Sequence, residues 1–233
     1  MLEDLLRESN IVLSDESIEL IEDHLDYILE ANKTTRLTAI HDKEDGERLH
    51  VLDSLLVLPE IHGAPSGPML DIGTGGGYPG FPLSVASGRP VDLLDSVQKK
   101  ALIIQGFIDS QESLPVEMAA LGERAEELAL RRRAHYAVVL ARAVSVLPAL
   151  VELASPLLMS GGRLVAHKGP YDKDELDRAV IACEQLGMTL ESVREYELPV
   201  GEEQRTVYVF TKVGESAIEL PRRTGRAQKK PLA

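Results

Sequence analysis

Apolar positions recur at helical spacing over residues 14–32, where Ile18, Ile21, Leu25, Ile28 and Leu29 form one stripe behind Ser14, a residue suited to capping a helix start. A second stripe, Leu49, Leu52, Leu55 and Leu56, predicts a helix over about 45–58 that Pro59 ends. The first 60 or so residues therefore read as helical. The segment HGAPSGP, 62–68, is a turn-rich joint, and beyond it the texture changes. Short runs, apolar on both faces, alternate with helix-sized intervals: MLDI at 69–72, VDLLD at 91–95, VEMAAL at 116–121, YAVVLA at 136–141 and RLVAH at 163–167. Such runs predict a parallel sheet covered on both faces by helices. Two further runs, TLESVREYEL at 189–198 and TVYVFTK at 206–212, are joined by the short connection PVGEEQR and predict an antiparallel hairpin. The expectation is an α/β protein with a seven-stranded sheet. It divides into a small N-terminal helical lobe (1–62), a core (63–213) and a C-terminal tail (214–233).

Composition narrows the setting. Apolar residues at 44% and charged residues at 27% are ordinary for a globular chain and far from the signature of disorder. No apolar run approaches the roughly 20 residues that span a bilayer, and MLEDLLRESN carries acids where a signal peptide would be basic and then apolar. A cytoplasmic protein, expected as a monomer and away from membranes, follows. Cys183 is the only cysteine, which excludes an internal disulfide and a thiolate metal cluster. The six histidines show no metal-binding spacing, so no metal is expected.

A net charge of −13 argues against a phosphate-rich partner, but its distribution changes the picture. Residues 222–230, RRTGRAQKK, hold Arg222, Arg223, Arg226, Lys229 and Lys230 without one acid. This basic tail on an acidic body is expected to dock on nucleic-acid phosphates.

The strongest local signal is DIGTGGGYPG, 71–80, directly after the first predicted strand. Gly73, Gly75 and Gly77 permit a tight turn that brings backbone N–H groups against a ligand, and the next helix offers its N-terminus. Gly75, Gly77 and Gly80 also satisfy the G-x-G-x-x-G dinucleotide pattern, with Asp95 roughly 20 residues on at a strand end. Asp95 serves either kind of cofactor, since its carboxylate can accept from the ribose diol of an adenosine lying across the strand tips. Asp71 and the preceding helical lobe separate the two, because acid-x-Gly-x-Gly-x-Gly resembles the first motif of class I (Rossmann-like) methyltransferases. That resemblance implies S-adenosylmethionine as cofactor. An NAD-linked oxidoreductase and a cofactor-binding ribosome-assembly factor without turnover remain the alternatives.

Further strings narrow the resemblance to the RsmG (GidB) family of 16S rRNA guanine-N7 methyltransferases. LTAIHD at 37–42, HVLDSL at 50–55, LDIGTGGGYPGFPL at 70–83, LLDSVQKK at 93–100, RAEEL at 124–128, ARAV at 141–144, HKG at 167–169 and LPRRTGRAQKKPL at 220–232 occur in the family's order. Arg36 stands where many members have Asn, and Ala141 stands where many have Ser beside the arginine. The resemblance implies that Gly73 and Tyr78 line the cofactor loop, that Ala125 and Glu126 sit by the adenine, and that Arg142 reaches both cofactor and active site as the catalytic residue. The implied partner is 16S rRNA or the small ribosomal subunit.

The residues themselves place these four sites just past predicted strand ends, where open α/β sheets bind ligands. Lys168, after the fifth strand, is a candidate for RNA phosphate. His50, beside Asp53 on one helix side, is expected to be structural. Nitrogen 7 of guanine carries a lone pair and no proton, so alignment rather than a general base is what the protein must supply. With no Trp and three Phe, Tyr78 and Phe81 are the nearest candidates for stacking on RNA.

Overall fold

The computed structural model describes all 233 residues. Seven strands, β1 (Met69–Ile72), β2 (Val91–Asp95), β3 (Met118–Gly122), β4 (Tyr136–Arg142), β5 (Leu158–Lys168), β6 (Met188–Glu197) and β7 (Gln204–Lys212), form one sheet in the order β3-β2-β1-β4-β5-β7-β6. β1 to β5 run parallel, and β7 enters antiparallel between β5 and β6. The predicted hairpin is this β6–β7 pair. β5 starts five residues before the apolar run that signalled it, because Leu158 already pairs with Tyr136 ahead of an irregularity. Gly161, at φ +75°, and Gly162 hid that first stretch from the pattern.

The strands are apolar throughout because both faces are covered. Met69 on β1, Val138 and Leu140 on β4, and Val207 and Val209 on β7 enter one apolar cluster; Leu70 and Ile72, Val139 and Ala141, Tyr208 and Phe210 enter the other. The first face is covered by α1 (Leu2–Glu8), α2 (Asp15–Asn32), α6 (Gly80–Ser87) and α7 (Gln98–Ser110), the second by α8 (Ala125–Arg131), α9 (Leu147–Ala154) and α10 (Lys173–Leu186). Leu5, Ile21, Leu25 and Leu52 share their cluster with Met69 and Leu140, so the boundary near residue 62 marks a change of secondary structure within a common core.

The α2 stripe begins where the sequence places it, with Ser14 Oγ accepting from Ser17 N–H at 3.3 Å. The second helix is broken instead of continuous: α3 (Lys43–Gly46), a π-helical stretch Glu47–Leu52 and α4 (Asp53–Leu55) follow one another. Pro59 opens α5 (Leu58–His62) rather than closing its predecessor, since a missing N–H costs nothing in a first turn. No helix is long and apolar enough to cross a membrane. The tail packs on the core. It folds into α11 (Arg226–Lys229), and Leu220 and Ala227 are buried in the second cluster.

Candidate active site

Chain order reverses between β1 and β4, with β2 and β3 added on one side of β1 and β4 and β5 on the other. A crevice opens above the carboxyl ends of strands at such a point. The glycine loop fills it. Gly73 and Thr74 N–H both donate to the Leu94 carbonyl, at 2.8 and 3.0 Å, which folds the chain back over the tip of β2. Gly73 has φ +72°, and a Cβ there would lie 2.7 Å from Val144 Cγ2.

Asp71, fully buried at the end of β1, braces this loop. Its Oδ2 accepts from Thr74 Oγ1 at 2.7 Å and from Gly80 N–H at 2.8 Å, while Oδ1 has no partner. Burial pushes its carboxyl up to about 6 against the pull of those two donors. Asp95 ends β2 and holds the other side, accepting from Gly75 N–H at 3.1 Å and from Val97 N–H at 2.8 Å. Beside the loop lies a slit of about 50 Å³ walled by Ile72, Gly73, Leu94, Ala125, Glu126 and Val144, and bordered by Gln228 of α11. Ala125 and Glu126 are thus placed beside the loop. The Glu126 carboxylate turns to the tail, where it accepts from Gly225 N–H at 2.7 Å.

Val144 and Gln228 also line an adjoining cleft of about 740 Å³ whose polar wall includes His50, Asp53, Arg142 and Arg205. Asp53 is its electrostatic centre. It accepts from Arg142 Nη1 at 3.2 Å and from Arg205 Nε at 3.1 and 3.3 Å, and His167 Nε2 lies 3.3 Å away. Burial raises the carboxyl's pKa, but the His167 hydrogen bond and the charges of Arg142 and Arg205 outweigh it and bring it to about 2. Tyr196 adds its hydroxyl 2.7 Å from His167 Nε2. Ala143, directly after Arg142, takes a left-handed φ of +57°, a strained conformation for a residue with a Cβ.

His50 leans its ring on Tyr78, with centroids 4.6 Å apart and planes 7° off parallel. Burial and then the Arg142 charge lower its pKa to about 3. The ring is therefore neutral at physiological pH. Arg142 Nη2 lies 3.4 Å from Nδ1, which leaves the proton on Nε2, where Thr38 Oγ1 sits at 2.7 Å.

The structure relocates several residues singled out from the sequence. Tyr78 and Phe81 are buried, Tyr78 under His50 and Phe81 stacked on His24 at 3.9 Å, so neither ring can stack on RNA. Lys168 lines the cleft, but its ammonium is taken by Glu175 Oε1 at 2.8 Å and the Ser145 carbonyl at 2.9 Å. Arg222 forms a fork with buried Glu152, with Nε 2.6 Å from Oε1. Arg223, Arg226, Lys229 and Lys230 are exposed and in no ion pair. The sequence reading missed Asp53 and Arg205 as site residues. A carboxylate inside VLDSLLVL was a signal for the first; a single arginine at a strand start offered none for the second.

The reversed hairpin settles the fold class. A dinucleotide-binding sheet is ordered 3-2-1-4-5-6, whereas here an antiparallel β7 stands inside the edge strand, so the NAD reading of Gly75, Gly77 and Gly80 gives way. Sheet and glycine loop define a class I, Rossmann-like methyltransferase. A solved SAM-dependent methyltransferase from Methanosarcina mazei shares the fold, with a TM-score of 0.51 at 15% identity over 67% of this chain and 98% of its own. The family model for rRNA small subunit methyltransferase G matches residues 17–207, and the chain belongs to that family. It is 37% identical to ribosomal RNA small subunit methyltransferase G of Pelotomaculum thermopropionicum, over 97% of this chain and 95% of the relative. With the enzyme of that name from Chloroflexus aggregans it shares 37% identity over 95% and 93%.

Proposed function

We propose that this protein transfers a methyl group from S-adenosylmethionine to nitrogen 7 of a guanine in 16S rRNA. The observation that carries this reading is the cleft: it adjoins the glycine-loop slit through Val144 and is lined with the guanidinium donors Arg142 and Arg205. Guanine carries the acceptor O6 beside its N7, whereas adenine carries a donor there. A guanidinium of Arg142 or Arg205 suits O6 and leaves the N7 lone pair free to attack.

The loop fits the cofactor. Oδ1 of Asp71 is a buried acceptor without a partner, suited to the methionine ammonium, and the Gly73 position admits no side chain. Asp95 retains lone pairs for the ribose diol, while Ile72, Leu94 and Ala125 offer apolar walls to the adenine. When bound, S-adenosylmethionine supplies a methyl carbon activated by a positive sulfur.

The chain's own task is alignment. Guanine N7 has no proton to lose, so the attack needs no general base, and His50, with a pKa near 3 and its Nδ1 facing Arg142, could not act as one. The Arg142–Asp53–Arg205 cluster holds two guanidiniums still at the cleft wall, and placing reactants in line can contribute about 7 to 11 kcal/mol in favourable cases. Arg223, Arg226, Lys229 and Lys230 supply the exposed cations that meet RNA phosphates. A ribosomal substrate sets the work in the cytoplasm. The test is transfer of radiolabelled methyl from S-adenosylmethionine to small ribosomal subunits lacking the modification, with nuclease mapping of the product. Label on a 7-methylguanine is expected; label elsewhere, or none, overturns the reading.

A further inference from the structure

A second polar cavity lies at the other end of the strands, below the starts of β4 and β5. Its volume is about 390 Å³, and it is lined by Arg133, Ser155, Ser160, Lys212, Glu215 and Ser216 among others. Lys212 ends β7, seven residues after Arg205, so at about 3.3 Å per residue the cavity is roughly 23 Å from the cleft. It belongs to neither the cofactor slit nor the cleft.

Two features make this cavity unusual for so acidic a chain. Lys212 is 8% exposed, yet its ammonium is held by no carboxylate. Its neighbours are neutral acceptors, Ser155 Oγ at 2.8 Å and the Leu186 carbonyl at 2.9 Å, and burial lowers its pKa. One of its three donors is left over. The second feature is Arg133. Of three consecutive arginines, Arg131 pairs with Glu123 and Arg132 with Asp92, while Arg133 meets only the Leu220 carbonyl, at 2.7 Å. Glu215, the one acid on the wall, favours the Lys212 charge without contacting it, and Arg133 opposes it. A buried cation without a contacting counter-charge is costly unless an anion completes it.

We infer that this cavity is a binding site for a phosphate group. Arg133 offers a fork matched to phosphate oxygens, Lys212 a point charge behind it, and Ser160 a hydroxyl with no other partner. The volume admits a phosphate together with the sugar that carries it. The phosphate comes either from a small phosphomonoester or from the RNA backbone wrapping round to the other end of the strands.

The probes are inorganic phosphate, a nucleoside 5′-monophosphate and an rRNA hairpin, titrated into the full chain at constant ionic strength with chloride as control. Backbone amide shifts locate the site: Ala134, Ser160 and Ser216 move for this cavity, Ser145 and Gly169 for the cleft. Saturable shifts at the first group are expected. Arg133→Ser, at an exposed position, should raise the phosphate Kd about tenfold or more, the loss expected for a hydrogen bond to a charged group, with S-adenosylmethionine affinity unchanged. Lys212→Gln should do the same, and the Arg133 variant stands alone if the lysine proves necessary for folding. Weaker hairpin binding in Arg133→Ser assigns the phosphate to RNA; unchanged hairpin binding with a monoester tighter than inorganic phosphate assigns it to a small molecule. Absence of saturable shifts at the first group, or equal phosphate affinity in the Arg133 variant, overturns the inference.

Discussion

Arg142, at the tip of β4, donates from Nη1 to Asp53 Oδ2 at 3.2 Å, with their side chains 14% and 3% exposed. Asp53 comes from the helical segment that precedes the sheet, so this nearly dry ion pair joins the lobe to the carboxyl ends of the strands. Asp53 also serves Arg205, and a neutral replacement would leave two guanidiniums facing each other without a counter-charge. Asp53→Asn should therefore lower stability by about 3 to 5 kcal/mol, the cost of breaking a buried pair. Thermal or denaturant unfolding measures it, and methyl transfer by the folded fraction should fall as well. A variant as stable as the parent would show that water already screens the cluster.

The parts of the molecule differ in how openly the chain announces them. Strands such as MLDI and YAVVLA were legible because two covered faces demand apolar residues at every position, and the loop because positive φ at Gly73, Gly75 and Gly77 demands glycine. The Asp53 cluster draws on residues 53, 142, 167, 196 and 205, and pairing over such separations leaves no local pattern. Burial of Tyr78 was equally hidden, since it depends on His50 arriving from another element. The tail read as five equivalent cations because Glu152, the buried partner of Arg222, sits 70 residues earlier in an apolar helix.

Gly73 and Val144 should behave as a coupled pair. Gly73→Ala combines a left-handed φ, costing about 1 to 2 kcal/mol for a residue with a Cβ, with a 2.7 Å approach to Val144 Cγ2. S-adenosylmethionine affinity should drop in the single mutant. Val144→Ala should restore the steric part and leave the backbone part, giving a favourable interaction energy of about 0.5 kcal/mol or more in a double-mutant cycle followed by calorimetry. Strict additivity would mean that the loop moves away from Val144 on binding.

Asp71 should make cofactor binding pH-dependent. Its folded pKa of about 6 lies above its ordinary 3.8, so the free protein keeps the proton between those values, and in that window stability falls as pH rises. A cofactor ammonium beside Oδ1 favours the ionised form, so binding below pH 6 releases a proton. Affinity should climb by up to about tenfold per pH unit from 5 to 6 and level off above. Calorimetry in two buffers of different ionisation enthalpy reads the proton directly. Asp71→Asn should flatten the profile, and a flat profile in the parent chain would place the ammonium elsewhere.

Single-turnover rates on the saturated enzyme should change little between about pH 6 and 9, because His50 is already neutral there and guanine N7 has no proton to lose. His50→Gln should cost far less than the 10²-fold or more of a lost general base. A rate that rises through pH 6.5 and loses that dependence in the variant would point to a nucleophile needing deprotonation.

The two halves of the basic tail should separate in experiment. Arg222 is bound to Glu152, which is 3% exposed, so Arg222→Gln leaves a buried carboxylate unpaired and should destabilise the fold by about 3 to 5 kcal/mol. Its effect on RNA should come only through folding. Arg223, Arg226, Lys229 and Lys230 are exposed, and replacing all four by Gln leaves the packing of Leu220 and Ala227 untouched. Each phosphate contact on a single strand contributes about 0.7 to the slope of log affinity against log salt, so losing four should flatten that slope by about 3. Filter binding of an rRNA fragment across a salt series measures it, with S-adenosylmethionine titration as the control for an intact slit. If the slope is unchanged while the fold is intact, the RNA backbone lies on another face of the protein, and Arg142 and Arg205 in the cleft become the first cations to test in its place.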